Sequence, residues 1–230
     1  METLQILAYA KLNLSLRVVG RRPDGYHELQ SLVTVVDLAD ELTLTGGEQG
    51  ITLDAPAELG PPERNLAVRA ARALLDPAGP GVRIVLRKLI PAGAGLGGGS
   101  SDAAAVLAGL NSLLSLRRSR KELQQIGASL GADVPFFLGP SPAWVEGIGD
   151  RVTPIAVPLP EAFLILVPTF RCPTPDVYRA FDDLGLALSP PAFPFTAEAQ
   201  GTSRRCSVAP CVRRDPGAGG KASGMNPDAT

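Results

Sequence analysis

The sequence predicts an α+β fold, a two-layer α/β sandwich, and three observations carry that prediction. Leu12, Leu14, Leu16 and Val18 alternate with Lys11, Asn13, Ser15 and Arg17, which is the period of a half-buried strand. Helical spacing appears separately, first in Leu66, Val68, Ala70, Ala71, Leu74 and Leu75 and again in Ala103, Val106, Leu107, Leu110, Leu113 and Leu114. Between these two helices lies an apolar, β-branched run at residues 82–90 that reads as a strand ending at Pro91.

Taken in order, the chain opens β-rich. The alternating strand places Lys11 and Asn13 on one face and the leucines on the other. Residues 21–27 hold the Pro23-Asp24-Gly25 core of a tight turn, and strand patterns resume over residues 29–36 and 41–45. Asn65 is the expected N-cap of the first helix, which Pro77 and Gly79 end. After the glycine-rich loop at residues 91–102, Ser100 or Ser101 is the expected N-cap of the second helix. A capping box, Ser119-x-x-Glu122, opens a third, with Leu123, Ile126 and Leu130 on one face and Gly131 as its C-cap. Short strands are expected at residues 143–146 and 163–167, a turn at residues 147–149, and a helix with Thr174 as N-cap and Pro175 at its first position. From Thr196 to Thr230 the large apolar residues are only Val208, Val212 and Met225, too few to offset chain entropy, and this stretch reads as a disordered tail.

Composition limits the function classes. At 230 residues and 45% hydrophobic content the chain can bury a real core, and a net charge of −1 gives no long-range attraction to nucleic acid or an anionic membrane. No apolar run reaches the ~18 residues of a spanning helix, and Met1-Glu2-Thr3 lacks the basic start of a signal peptide, so a cytoplasmic location is expected. Cys172, Cys206 and Cys211 make no disulfide framework, and with His27 the single histidine, neither a Cys/His metal site nor a hydrolytic triad has its material. The basic run at residues 117–121 fits a solvated helix start better than a phosphate or nucleic-acid contact.

Residues 91–102, Pro-Ala-Gly-Ala-Gly-Leu-Gly-Gly-Gly-Ser-Ser-Asp, stand between a strand and a helix N-terminus. Glycines allow positive φ and close approach of backbone to a ligand, and the first N–H groups of a helix have no intrahelical partner and carry its positive dipole end. An anion such as phosphate suits that place. A Walker A loop would need Gly-Lys-Ser/Thr, yet no lysine lies between Lys88 and Lys121. A Rossmann fingerprint would need a strand and a ribose-binding acid that do not follow.

Residues 8–16, 22–28, 91–102 and 130–136 together resemble the GHMP small-molecule kinases, and the likeness extends over about residues 4–185. Within that family the motifs are similar to the branch serving the non-mevalonate isoprenoid route. The resemblance implies an N-terminal domain at residues 1–150 like ribosomal protein S5 domain 2, followed by part of a C-terminal domain at residues 151–195. It implies ATP-dependent phosphorylation of the 2-hydroxyl of 4-diphosphocytidyl-2-C-methyl-D-erythritol, with Mg²⁺ as cofactor, no resident protein-bound metal, and a monomer or weak homodimer. Carried over by residue, Asp133 is the general base with Lys11 beside it. Pro91, Ala92, Gly93, Ala94, Gly95, Leu96, Gly97, Gly98, Gly99, Ser100 and Ser101 hold the phosphates, with Asn65, Lys88 and Asn111 near adenine and ribose. Asn13, Tyr26, His27, Thr174, Pro175 and Tyr178 contact the cytidyl substrate. Taken alone, Asp133 is better read as capping the turn after Gly131, Lys11 as facing solvent, and Tyr178 as filling a core; the joint motif match reverses that for Asp133 and Lys11.

The chain departs from the family pattern after Phe195. The resemblance implies a further glycine-rich segment of the Gly-Thr-Gly-Ala kind, and none follows; the composition changes abruptly at Thr196. This reads as a truncated or frameshifted C-terminus, and it sets a second expectation beside the first, a catalytically impaired member that retains only nucleotide binding.

Overall fold

A computed structural model describes residues 2–170 and 172–185 and the backbone of residues 212–214. Two long strands, β1 (Thr3–Arg21) and β2 (His27–Glu48), form an antiparallel hairpin around the turn at residues 22–26, where Gly25 takes a φ of 87°. The sheet runs β3 (Ile51–Asp54), β4 (Gly81–Arg87), β2, β1. β3 and β4 are parallel, joined through α1 (Leu66–Leu74), and β5 (Ala143–Gly147) pairs with the free half of β2 and with β6 (Arg151–Pro154). What the sequence divides into two strands at residues 29–36 and 41–45 is one strand that bends at a bulge, where Tyr9 faces Ala39 but Ala10 faces Val36.

Helices cover one face of this sheet, as the two-layer expectation requires. Leu4, Ile6 and Ala8 of β1, Leu42 and Leu44 of β2, and Val82, Ile84 and Leu86 of β4 are buried against Ala67, Val68, Ala70 and Ala71 of α1 and Val106, Leu107 and Leu110 of α2 (Gly98–Leu113). Each fully buried leucine contributes about 1.5–3 kcal/mol by leaving water. Gly109 lets α2 lie close on the sheet, since a Cβ there would run into Ile6 Cδ1 and Leu44 Cδ1. α3 (Arg120–Leu130) starts from the expected capping box, with both reciprocal bonds between Ser119 and Glu122 present. The short α4 (Val134–Phe137) tucks Val134 and Phe136 under it. Among the described residues, no helix is long and apolar enough to cross a membrane.

Several expectations change. A second bulge between Asn13 and Ser15 adds one residue to β1, and one extra residue inverts the facing of the residues from there to the next shift, between Val18 and Gly20. Leu16 and Val18 therefore join Lys11 and Asn13 on a cleft wall, and Leu16 is exposed instead of packed. Residues 163–167 are not a strand: no described strand pairs with them, and Leu164 and Leu166 are exposed while Ile165 packs against Ala10, Ile90 and Leu96. α5 (Thr174–Asp183) is capped by Pro173, with no side-chain bond from Thr174. Residues 186–211 and 215–230 lie outside the described residues, and with them the boundary at Phe195, Cys206, Cys211 and most of the expected tail. Within that tail, Val212–Arg214 forms a strand, β7, antiparallel to Leu4–Ile6 of β1. Cys172 is a free, exposed thiol.

Candidate active site

The cleft begins where β4 hands the chain to α2. Gly93, Gly95 and Gly97 all have φ near +74°, a left-handed conformation that L side chains resist. At Gly97 space is short as well, because a Cβ would stand 2.9 Å from Lys11 Cγ and 2.9 Å from Phe137 Cζ. Gly97 is itself the N-cap of α2, and no side chain caps the helix. Ser100 and Ser101, the expected caps, sit inside the first turn instead. Without a side-chain cap the leading N–H groups stay available to an anion. Leu96 O accepts a hydrogen bond from Lys11 N at 2.9 Å, which fastens the loop to β1.

A cleft of about 1200 Å³ runs from this loop to the hairpin tip. Of the residues singled out in the sequence, Lys11, Asn13, Tyr26, His27, Asn65, Lys88, Pro91 to Ser100, Asp133, Thr174, Pro175 and Tyr178 all line it. Two do not. Ser101 is buried toward the sheet, beside Ala8 and Val35, and Asn111 bonds the backbone of Arg118 in both directions, at 3.0 and 2.8 Å, to shape the α2–α3 connection.

At the loop edge, Lys11 Nζ lies 3.4 Å from Asp133 Oδ2 and donates to Asn13 Oδ1 at 3.2 Å. Lys11 is buried, whereas the Asp133 side chain is 45% exposed to the cleft. Asp133 makes no capping bond to α4, so the turn-capping role open to it in sequence is not the one it plays. Asn65 does cap, accepting from Ala67 N at 2.9 Å.

At the hairpin tip, the ring of His27 stacks on Tyr178 at 4.7 Å between centroids, meets Phe181 edge-on, and shares a 2.7 Å hydrogen bond between Nε2 and Asp182 Oδ1. Asp182 is held below the usual carboxylate range by that bond and by the nearby Arg21. Burial pushes the Tyr178 phenol up, and the charge of Asp133 adds to the rise, so the two ends of the cleft are within electrostatic reach. Asp182 was not singled out in the sequence, although it stands one turn beyond Tyr178 on the same helix face.

Sequence reasoning also missed a buried charge cluster. Lys88 Nζ bonds both Asp40 Oδ2 and, at 2.8 Å, Asp102 Oδ2. Asp40 is fully buried, and its Oδ1 accepts from Leu89 N at 2.6 Å and Ile90 N at 2.8 Å. The available signal was its phase: Asp40 shares the buried face of β2 with Leu42 and Leu44, and a charge in that register demands partners.

With this geometry in place, comparison with known proteins gives a consistent result. Residues 65–139 match the model of the GHMP kinases N terminal domain. Over 193 residues the chain is 42% identical to the 4-diphosphocytidyl-2-C-methyl-D-erythritol kinase of Methylacidiphilum infernorum, covering 80% of this chain and 67% of that protein. The chain belongs to the GHMP kinase family. Proteins of the same name from Polaromonas naphthalenivorans and Symbiobacterium thermophilum are 49% and 47% identical over 77% and 79% of this chain. A crystal structure of 4-(cytidine 5'-diphospho)-2C-methyl-D-erythritol kinase superposes with a TM-score of 0.62 at 44% identity, covering 76% of this chain and 63% of that one. The chain thus spans a little under two thirds of these relatives, 62% and 65% of the two proteins just named. A protein of Campylobacter jejuni whose structure bears the name "Putative Sugar Kinase", at 18% identity and a TM-score of 0.51, shares the fold.

Proposed function

We propose that this GHMP kinase family member transfers the γ-phosphoryl group of ATP to the 2-hydroxyl of 4-diphosphocytidyl-2-C-methyl-D-erythritol. The observation that carries the reading is the Lys11–Asp133 pair, set at the edge of an uncapped helix N-terminus and facing the same cleft as the His27 and Tyr178 rings. The names of the relatives point to the same substrate.

In this mechanism the glycine loop and the first turn of α2 receive the β- and γ-phosphates, and positioning and charge neutralisation do most of the catalysis. Asp133 accepts the proton of the substrate hydroxyl as its oxygen bonds to the γ-phosphorus. The bond from that phosphorus to the β,γ-bridging oxygen breaks, and ADP leaves. A base so placed contributes about 10²–10⁴-fold, and the Lys11 ammonium stabilises the charge that builds on the transferred group. Mg²⁺ would supply further neutralisation. In this reading the ion would arrive on the phosphates of ATP. Tyr26, exposed at the rim, offers a π-face to the cytosine. The protein would work in the cytoplasm as a monomer or weak homodimer.

The test is ADP release dependent on the cytidyl substrate. Asp133→Asn is expected to lower kcat by at least about 10²-fold while leaving ATP binding intact. Folded wild type that binds ATP and turns nothing over would instead fit the impaired, nucleotide-binding member.

A further inference from the structure

Two ends of the glycine loop meet at one buried cluster. Asp40 holds the strand exit through Leu89 N, Ile90 N and Lys88 Nζ, and Lys88 in turn grips Asp102, the fifth residue of α2. Asp102 is 3% exposed, its Oδ2 is bound by Lys88, and its buried Oδ1 has no hydrogen-bond partner among the described residues. A carboxylate in that position leaves lone pairs unsolvated, whereas a protonated carboxyl carries no such charge.

We propose that Asp40, Lys88 and Asp102 form a proton-linked clamp that sets the opening of the phosphate loop, so that binding of a polyphosphate is coupled to proton uptake by Asp102. The idea rests on the nucleotide-binding reading above. The clamp acts on phosphate position and is distinct from the Lys11–Asp133 pair across the loop.

The charges around Asp102 support a protonation that responds to a ligand. Burial pushes its carboxyl up to about 7, against the pull of the Lys88 ammonium, and Asp40 adds to the rise. Burial works to lower Lys88, but Asp102 and Asp40 hold it above its ordinary value, so it stays charged throughout the neutral range. The other elements packed on α2 bring no charge to this point. α1 buries Ala67, Val68, Ala70 and Ala71 there, α3 buries Leu123 and Gly127, and α4 buries Val134, Pro135, Phe136 and Phe137. On β1 the buried charged side chain is Lys11, which is paired with Asp133. A phosphate at the N-terminus of α2 would add negative charge within a turn of Asp102 and raise its proton affinity further. By reciprocity, protonated Asp102 strengthens anion binding, and affinity falls as pH rises through about 7.

Calorimetry of AMP-PNP binding in two buffers of different ionisation enthalpy reads this directly. Wild type should take up as much as about half a proton per site at pH 7 more than Asp102→Asn does, because a group half protonated there can gain no more. The difference between the two proteins removes the ligand's own titration. Equal proton uptake in both, or equal pH dependence of Kd, overturns the clamp. Absence of binding by folded wild type removes the nucleotide reading itself and the clamp with it. Should Asp102→Asn not fold, carboxyl ¹³C shifts of labelled aspartates in wild type carry the same question. One aspartate titrating near neutrality and moving upward with AMP-PNP supports the clamp, and none doing so overturns it.

Discussion

Residues 2–154 and residues 155–185 are built on different terms. In the first region sheet and helices share one apolar core, with Leu4, Leu44, Ile84, Leu107 and Leu110 essentially inaccessible to water. In the second, Leu164, Leu166, Phe170, Val177 and Leu184 are exposed, and α5 has no buried residue. α5 is instead attached to the hairpin tip by the His27–Tyr178 stack, the His27–Asp182 hydrogen bond and the Arg21–Asp182 ion pair. The glycine-loop end of the cleft thus stands on a close-packed base. The opposite wall hangs on a few polar and ring contacts, the kind of element that opens at low free-energy cost.

Three substitutions sharpen that contrast. Leu107→Ala in the core should cost about 2–5 kcal/mol of global stability, read from chemical denaturation, because it empties a closed site. A loss under about 1 kcal/mol would mean that the helix layer is looser than its burial indicates. Tyr178→Ala should release α5, raising amide exchange over residues 174–183 while the protection of residues 103–110 stays as it was. It removes a ring pair of about 0.5–1.5 kcal/mol. Equal acceleration in both segments would show that the two regions unfold as one. Leu164→Ser should move the denaturation midpoint by no more than about 0.5 kcal/mol equivalent, since the side chain is 88% exposed. A large loss would reveal a partner surface over it.

The parts of the fold legible in sequence were those whose signals are local. Asn65 announces α1, Ser119 and Glu122 announce α3, and the glycines at 93–99 mark the turn from β4 into α2, each because cap and turn chemistry acts over three or four residues. Lys11 and Asp133 were singled out by family pattern, and the structure sets them 3.4 Å apart. What escaped depends on long-range pairing. Strict alternation placed Leu16 on the wrong face because the bulge shows only in the pairing with β2, where Ser15 Oγ accepts from Leu32 N and Ser15 O from Ser31 Oγ. Residues 163–167 have strand composition, but a strand exists only with a neighbour to bond it. Asp102 stood in plain view within the loop motif and received no role, because its partners, Lys88 and through it Asp40, come from other elements.

The separations in sequence also order the assembly of the cleft. The hairpin needs nothing beyond residue 48, the bond from Lys88 to Asp40 closes across 48 residues, and that from His27 to Asp182 across 155. Loop-closure entropy grows with such spans, and a ribosome delivers residue 182 long after residue 102. During synthesis the glycine loop and its charge cluster therefore leave the ribosome before the ring-bearing wall. A nascent chain that has delivered residue 102 but not residue 174 thus holds every residue of the charge cluster and none of α5.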